Sequence, residues 1–207
     1  MTRGRFITLE GGEGVGKSTQ LRSLATALEA RGIDVVATRE PGGSAGAEAI
    51  RALLMEGNDD RWDARSEALL FAAARADHVA RTIRPALDRG AWVLCDRFVD
   101  SSRAYQGGGG GITDADLLML HGFGSEGLLP DRTFLLTLGG DEAARRLTDR
   151  GGSDRMGSKP ADYQARLAAR FIEMAEAEPH RWRVIDADAS ADRVTAAILA
   201  DLAEWLP

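Results

Sequence analysis

The chain has 207 residues, 44% hydrophobic and 28% charged, which are ordinary values for a globular protein large enough for one α/β domain. The formal net charge of −6 and the sequence pI near 5.2 argue against a general nucleic-acid or membrane surface, so we expect neither partner. No apolar stretch approaches the roughly 20 residues of a membrane span, and we expect no signal peptide. Cys95, the only cysteine, ends an apolar run, which favours a buried structural thiol and a cytoplasmic location.

Short apolar runs alternate with helical patterns along the chain. The runs predict strands at Arg5–Leu9, Ile33–Thr38, Ala91–Cys95, Thr133–Leu138 and Arg183–Asp186. Helices are predicted over residues 17–30, 46–55, 65–89, 113–121, 141–149, 160–178 and 190–205. This alternation predicts an α/β fold of three layers, a five-stranded parallel sheet with helices on both faces. We expect a single domain over residues 1–207, with Gly107–Gly111 and Arg150–Gly157 as loops.

A glycine-rich segment directly follows the first predicted strand. Residues 11–18 fit the pattern G-x-x-x-x-G-K-[ST] and precede an amphipathic helix, as a phosphate-binding loop requires. Backbone N–H groups and the helix N-terminus would face phosphate oxygens, Lys17 would reach the β- and γ-phosphates, and the Ser18 hydroxyl would bind Mg²⁺. The predicted nucleotide-binding residues are Gly11, Gly12, Glu13, Gly14, Val15, Gly16, Lys17, Ser18 and Thr19. The pattern indicates a bound nucleotide without saying what is done with it.

Charged residues also follow the second and third predicted strands. Because the carboxyl ends of parallel strands meet at one edge of the sheet, these residues should lie near the phosphate loop. Asp96 would serve Mg²⁺, directly or through water, unless it caps a helix. Arg97 would face phosphate as a permanent cation. Arg39 and Arg51 would form a second anion site, for an acceptor, although surface salt bridges are the alternative for each.

Two further segments contain candidate ligand-binding residues. Phe71 and Arg75 are four apart in a helical stretch, so the ring and the guanidinium share one face. They could bind a nucleobase, but spacing alone favours Phe71 as a core residue. The segment 141–157 holds four arginines around a glycine pair. It suits either a lid that closes on the transferring phosphoryl group or a solvated helix end.

Several of these segments together resemble bacterial thymidylate kinases over nearly the whole chain. The matching segments are Glu10–Thr19, Thr38–Gly43, Leu70–Arg75, Cys95–Arg97, Asp100–Gly107, Pro130–Thr133 and Asp154–Arg155. The Arg-Glu-Pro-Gly-Gly and Ala-Tyr-Gln-Gly sequences are much more specific than the phosphate loop. The resemblance implies a P-loop nucleoside monophosphate kinase fold with a short lid at about 145–160. It also implies ATP with Mg²⁺ as donor, dTMP as acceptor, dTDP and ADP as products, and a homodimer.

The resemblance implies roles around the acceptor's base and sugar. Phe71 would stack on thymine, and Arg75 would donate to its 4-carbonyl. Ser102 and Gln106 would lie around the base edge. Tyr105 would pack against the deoxyribose where a 2′-hydroxyl would clash.

The resemblance implies equally specific roles around the phosphates. Glu13 would bind the 3′-hydroxyl of the acceptor. Arg39, Arg51 and Arg97 would surround its phosphate, with Glu40 holding the arginines in place.

One position indicates the catalytic subtype. Some relatives carry an arginine after the acidic residue of the phosphate loop, where this chain has Gly14. The catalytic cations would then be Lys17, Arg97 and a lid arginine, either Arg155 or Arg150. Relatives often carry a basic residue within Gly107–Gly111, which is glycine throughout here, so no phosphate contact is carried over to that run.

Two other functions remain as alternatives to this reading. A P-loop switch or regulatory ATPase would use nucleotide to control a partner contact, but an Asn-Lys-x-Asp guanine-reading segment is absent from the sequence. A kinase for another small acceptor, such as a nucleoside, would not need the arginines on the acceptor side.

Overall fold

The computed structural model describes residues 3–58, 61–109, 111–139, 142–143, 145–146 and 161–206. Five strands form one parallel sheet in the order β2-β3-β1-β4-β5. Their bounds are β1 Phe6–Glu10, β2 Val35–Arg39, β3 Trp92–Asp96, β4 Arg132–Thr137 and β5 Trp182–Asp186. The predicted α/β class and the five parallel strands are confirmed, and no strand end differs from its predicted position by more than two residues.

Eight α-helices and three shorter helical segments are described. The α-helices are α1 Lys17–Glu29, α2 Ala45–Met55, α3 Ala64–His78, α4 Arg84–Asp88, α5 Val99–Ser102, α6 Asp114–Ser125, α7 Ala161–Ala177 and α8 Ala191–Asp201. Two π-helical segments cover Val79–Ile83 and Arg103–Gly109, and a 3₁₀ turn covers Ala203–Trp205. The helix predicted over 65–89 is therefore a continuous run of α3, a π-helical segment and α4.

Side-chain caps explain where four of the helices begin. A polar residue directly precedes each of these helices, and its side-chain oxygen accepts a hydrogen bond from a backbone N–H of the first turn. The capping residues are Ser44 for α2, Asp63 for α3, Thr113 for α6 and Ser190 for α8. Such caps satisfy donors that have no partner within the helix, and each typically stabilises it by about 1 kcal/mol.

The helical stretch from Val99 to Gly109 differs from the sequence-based prediction. No helix was predicted there, and Gly107–Gly111 was predicted to be a loop, whereas Gly107 and Gly109 lie within the second π-helical segment. The segment lacks a clear apolar period and is held instead by polar contacts of Asp100 with the neighbouring Arg103 and the distant Arg181. Of the helix predicted over 141–149, residues 142, 143, 145 and 146 have helical backbone, and the loop predicted at 150–157 lies outside the described residues.

Apolar side chains of the central strand point to both faces of the sheet. Ile7 packs with the residues of α1 and α8, whereas Phe6 packs on the opposite face with Ile83 and Phe98. Phe6 and Ile7 are both fully buried, and burial of such a side chain stabilises the fold by about 1.5–3 kcal/mol. Helices on both faces of the sheet, as predicted, are confirmed.

The carboxyl ends of three neighbouring strands create a shared edge. Glu10, Arg39 and Asp96 are the last residues of β1, β2 and β3, and Asp96 pairs in register with Leu9 on one side and Arg39 on the other. The segments predicted to bind ligand are thus brought to one edge of the sheet. None of the helices in the described part of the chain is long and apolar enough to cross a membrane.

Candidate active site

The phosphate-binding loop joins β1 to α1, as predicted. Gly16 caps α1 in a left-handed conformation, with φ at 99°. The side chain of Val15 is buried in the core beside α1, so only its backbone can face a phosphate. The loop therefore presents backbone N–H groups and the positive end of the α1 dipole to the edge of the sheet.

Lys17 lies across this loop and is almost fully buried. Its Nζ donates hydrogen bonds to the carbonyl oxygens of Gly11 and Gly12, at 3.1 and 2.6 Å. Burial, with the nearby charge of Arg97 adding, lowers the pKa of Lys17 to about 8. A phosphate group would supply the negative charge that these carbonyls only partly replace.

Ser18 and Asp96 form a pair of oxygen ligands next to the lysine. Ser18 Oγ donates to Asp96 Oδ2 at 2.7 Å, and the other carboxylate oxygen, Oδ1, is buried without a hydrogen-bond partner in the described part of the chain. Mg²⁺ prefers oxygen ligands and usually binds through one or two carboxylates together with substrate phosphates. The pair fits such an ion, with an unsatisfied oxygen left to bind it.

Arg97 lies between the phosphate loop and the helix α5, and contacts both. Its guanidinium donates to Gly11 O at 3.0 Å, Ser101 Oγ at 3.1 Å and Glu13 Oε1 at 2.5 Å. Tyr105 Oη donates to the same Glu13 oxygen at 3.2 Å. The Arg97 guanidinium holds the pKa of Glu13 at about 2, so the pair is ionised. Arg97 is thus a fixed cation of the site, and its counterion Glu13 also bonds to Tyr105.

Arg75, near the end of α3, borders the pocket and is held there by several hydrogen bonds. Its Nε donates to Glu40 Oε2 at 2.7 Å, and its Nη2 donates to Ser102 Oγ at 2.9 Å and Phe98 O at 3.2 Å. The guanidinium carbon also lies 5.3 Å from the centre of the Phe98 ring. Arg75 is buried and fixed on three sides, which suits directional donation to a planar ligand.

The arginines of β2 and α2 have partners other than Glu40. Arg39 is exposed and pairs with Glu48 on α2, with two distances of 3.1 Å. Arg51 donates to Pro41 O at 2.6 Å. Among the described residues Glu40 bonds to Arg75 and His78, and the role that the resemblance implied for it, holding the arginines in place, stays a prediction.

Phe71 and Gln106 complete the wall around Arg75. Phe71 is half-buried and packs against the cluster that contains Tyr105. Gln106 Nε2 donates to Glu67 Oε1 at 3.0 Å, which links the second π-helical segment to α3. Phe71 and Arg75 share a helix face as their spacing predicted, and that face borders the pocket.

One pocket brings most of the predicted residues together. Those that line it are Glu13, Gly14, Gly16, Lys17, Ser18, Arg39, Glu40, Arg51, Phe71, Arg75, Asp96, Arg97, Ser102, Tyr105 and Gln106. Gly11, Gly12, Val15 and Thr19 belong to the loop or the start of α1 but do not border the pocket. Arg150 and Arg155 lie outside the described residues.

Comparison with known proteins assigns the chain to a family. The family model for thymidylate kinase matches residues 9–198. The chain belongs to the thymidylate kinase family. A curated thymidylate kinase of Rhizorhabdus wittichii is 60% identical over 206 residues, covering 99% of each chain. A second, of Caulobacter vibrioides, is 54% identical over 198 residues, covering 96% of this chain and 95% of the relative.

A solved structure supports the same assignment. The crystal structure of thymidylate kinase from Ehrlichia chaffeensis superposes with a TM-score of 0.78 at 32% identity, covering 97% of this chain and 99% of that chain. The fold is therefore the P-loop kinase fold that the resemblance implied, and the chain is an enzyme of the kinase class.

Sequence reasoning missed four residues that line the pocket of this thymidylate kinase family member. They are Pro41, Met55, Phe98 and Ser101. Two of them have structural partners, since Ser101 Oγ donates to the buried Glu10 at 2.6 Å and Phe98 N–H donates to the same carboxylate at 2.8 Å. Burial raises the pKa of Glu10 to about 7, with the Asp100 charge contributing. Phe98 could have been identified from its position directly after Asp96-Arg97, and Ser101 from its place in the matching segment Asp100–Gly107.

The structure also shows the surroundings of Gly14, the position from which the resemblance implied a catalytic subtype. Gly14 has φ at 75°, and a Cβ there would overlap with the carbonyl oxygen of Ala143. A side chain at this position would therefore need both a rare backbone conformation and movement of the neighbouring segment. Arg145 and Arg146 both pair with Glu142, at 2.7 and 2.8 Å.

Proposed function

We propose that the chain transfers the γ-phosphoryl group of ATP to dTMP, giving dTDP and ADP, and that dTMP binds in the pocket between the phosphate loop and α3. The observation that carries this proposal is the position of Arg75. Its fixed guanidinium lies on the same pocket as Lys17 and one helical turn from the half-buried ring of Phe71. A phosphate site and a nucleobase site thus share one cavity.

The donor side would bind the phosphates of ATP. The N–H groups of the loop and the Nζ of Lys17 would donate to the β- and γ-phosphate oxygens, and Lys17 would exchange its two carbonyl contacts for them. Ser18 and Asp96 would hold Mg²⁺, which would reduce the charge of the phosphate oxygens when bound. These groups stabilise the charge that develops on the transferred group.

The acceptor side would orient the phosphate of dTMP. Arg97, Arg39 and Arg51 border the pocket between the loop and α2, and their donors would bind the acceptor phosphate oxygens. That phosphate is already largely ionised near neutral pH, so its oxygen can attack the γ-phosphorus without a dedicated general base. The protein's contribution is alignment of the two phosphates and neutralisation of their repulsion.

The thymine and deoxyribose contacts would decide the choice of acceptor. Phe71 would stack on the base and Arg75 would donate to its 4-carbonyl, with Ser102 and Gln106 near the base edge. Cytosine has an amino group at that carbonyl position, which cannot accept from a guanidinium. We propose that Tyr105 packs against the sugar where a 2′-hydroxyl would clash, and that Glu13 accepts from the 3′-hydroxyl.

The catalytic cation missing at Gly14 is proposed to come from the lid. We propose that residues 1–207 form a single domain with a lid at about 145–160. On closure of this lid, Arg155 or Arg150 would bind the transferring phosphoryl group. Support for this assignment comes from the family pattern and from the lack of space for a side chain at Gly14.

A panel of acceptors tests the proposed function. Turnover would be measured by coupled ADP release with ATP·Mg²⁺ and dTMP, dUMP, dCMP, dGMP or thymidine. We expect dTMP to be the best acceptor and thymidine to be inactive, because thymidine lacks the phosphate that the arginines bind. Thymidine as best substrate, or ATP hydrolysis that is equal with and without dTMP, would contradict the proposal.

We also propose a homodimer located in the cytoplasm. Leu69 on α3 and Met119 and Phe123 on the neighbouring α6 are 55%, 68% and 93% exposed, and a second copy would cover such an apolar face. Cys95 is free and buried, which is compatible with a reducing compartment. Sedimentation equilibrium tests the dimer: Phe123→Glu should shift it to monomer, and an unchanged mass would contradict this interface.

A further inference from the structure

His78 contacts the same carboxylate as the base-site arginine. It is the last residue of α3, three positions after Arg75, so both side chains leave the helix on one face. Arg75 Nε bonds to Glu40 Oε2 at 2.7 Å, and His78 Nδ1 bonds to Glu40 Oε1 at 3.0 Å. The imidazole is fully buried. Each oxygen of Glu40 is therefore held by a different side chain of α3.

The hydrogen bonds of His78 define its tautomer. A carboxylate accepts, so Nδ1 carries the proton that bonds to Glu40. In the neutral imidazole Nε2 then accepts from Thr38 Oγ1, which lies 2.8 Å away at the end of β2. The result is a continuous series of contacts from Thr38 through His78 and Glu40 to Arg75, with one end on the sheet.

The loop that carries Glu40 is fixed against the same stretch of helix. Gly43 has φ at 87°, and a Cβ there would overlap with His78 Nε2, so only glycine allows the loop to approach the imidazole this closely. Thr82 Oγ1 donates to Gly43 O at 2.7 Å, and Ser44 Oγ donates to Asp77 at 2.6 Å. His78 lies at the centre of this contact between loop and helix.

Within the described part of the chain, His78 is the side chain that bonds to Glu40 Oε1. Without it, a buried carboxylate oxygen loses its donor, and the carboxylate can rotate away from Arg75. We propose that His78 is a positioning residue that holds Glu40, and through it Arg75, in the orientation that binds the base of the acceptor. This inference rests on the proposed function, since it assigns Arg75 to the nucleobase of dTMP.

A series of three substitutions tests this role. His78→Asn keeps an amide nitrogen about where Nδ1 lies, His78→Gln keeps a polar group nearer the position of Nε2, and His78→Leu keeps neither. We expect the KM for dTMP to rise about tenfold in the Gln and Leu variants and less than about threefold in the Asn variant. The KM for ATP and the kcat at saturating dTMP should stay near wild type, and the preference for dTMP over dCMP should fall in step with the KM change.

A milder pair of variants covers the case in which His78 substitutions prevent folding. Thr38→Val removes only the hydroxyl that bonds to His78, and we expect a rise of about threefold in the KM for dTMP. Thr195→Val is the matched control, because its buried hydroxyl donates to Gln20 at 2.7 Å away from the pocket. It should lower the melting temperature with no change in the KM for dTMP.

The outcomes separate this inference from the proposed function. Failure of the wild-type chain to phosphorylate dTMP would overturn both. A wild-type dTMP kinase whose Gln and Leu variants keep the wild-type KM and base preference would overturn the role of His78 alone. An Asn variant as impaired as the Leu variant would also overturn the role of His78. If only the threonine variants fold, an unchanged KM for dTMP in Thr38→Val would overturn it.

Discussion

The two walls of the pocket hold their charges in different ways. On the phosphate-loop wall, Lys17 bonds to two backbone carbonyls and has no salt bridge within the described residues, and its pKa is lowered to about 8 by burial. On the opposite wall, Arg75 pairs with Glu40, and Arg97 pairs with Glu13, whose side chain reaches it from the phosphate loop. On this acceptor wall Arg75 and Arg97 thus have carboxylate counterions, whereas Lys17 on the donor wall has none among the described residues.

This difference indicates what each ligand contributes. Paired and buried groups keep one geometry, so the acceptor wall is preorganised, and dTMP would enter a site that needs little rearrangement. Lys17 depends on a phosphate for its counterion, so ATP would supply part of the donor site that it occupies.

The largest effect should come from the ion pairs that support the acceptor wall. Asp100 is fully buried and accepts from Arg181 Nη1 and Nη2 at 2.6 and 2.8 Å, and from Arg103 Nη1 at 3.0 Å. Asp100→Asn leaves two arginines without this counterion and should lower the free energy of unfolding by about 3 to 5 kcal/mol in urea titrations. Asp162→Asn, at an exposed pair on α7, is the control and should be indistinguishable from wild type. A loss at Asp100 no greater than that at Asp162 would contradict preorganisation by buried pairs.

The next effect concerns the two cations proposed to act in catalysis. Lys17→Ala and Arg97→Ala should each reduce turnover by roughly 100-fold or more, since each removes a donor that would stabilise the transferring group. Arg22→Ala, at an exposed position on α1, should keep turnover near wild type.

The same two variants, Lys17→Ala and Arg97→Ala, should also differ in melting temperature. Arg97→Ala leaves the ionised Glu13 without its cation and should lower the melting temperature. Lys17→Ala removes a buried cation that has no carboxylate partner in the described residues, so its melting temperature should not fall as far. Equal losses of stability in thermal unfolding would contradict the comparison of the two walls.

A smaller effect, on the pH dependence of stability, should come from the buried imidazole of His121 behind the acceptor wall. The ring of His121 packs edge-on against Phe98 at 5.5 Å, its Nε2 donates to Leu128 O at 2.7 Å, and its Nδ1 is buried without a partner among the described residues. Burial, with the charge of Arg75 adding, lowers the pKa of His121 to about 4. Between about pH 4 and 6.5 the unfolded state therefore binds the extra proton.

It follows that stability from His121 is fully present above about pH 6.5 and is lost as the pH falls toward 4. From pH 6.5 to 5 the wild-type chain should lose up to about 2 kcal/mol relative to His121→Gln, which keeps a donor for Leu128 but does not titrate. Urea unfolding at several pH values measures this difference. Parallel pH profiles for the two proteins would show that His121 is not held neutral.

Much of the fold and of the pocket could be predicted because the signals are local. The phosphate loop is a continuous pattern between a strand and a helix, and the alternation of strands and helices predicted the parallel sheet. Spacing could not decide whether Phe71 was a core or a pocket residue, because a half-buried ring serves both. The helical stretch after Val99 was missed because its stability depends on Asp100 and Arg181, which are 81 residues apart. The contact of His78 with Glu40 is likewise invisible in the sequence, where they are 38 residues apart.

Calorimetric titration of dTMP into the chain without ATP or Mg²⁺ measures whether the acceptor wall binds dTMP unaided. A preorganised acceptor wall predicts saturable binding of one dTMP per chain, weakened by Arg75→Ala and little changed by Lys17→Ala. Binding of dTMP that requires ATP, or that Lys17→Ala abolishes while Arg75→Ala leaves it intact, would contradict the account.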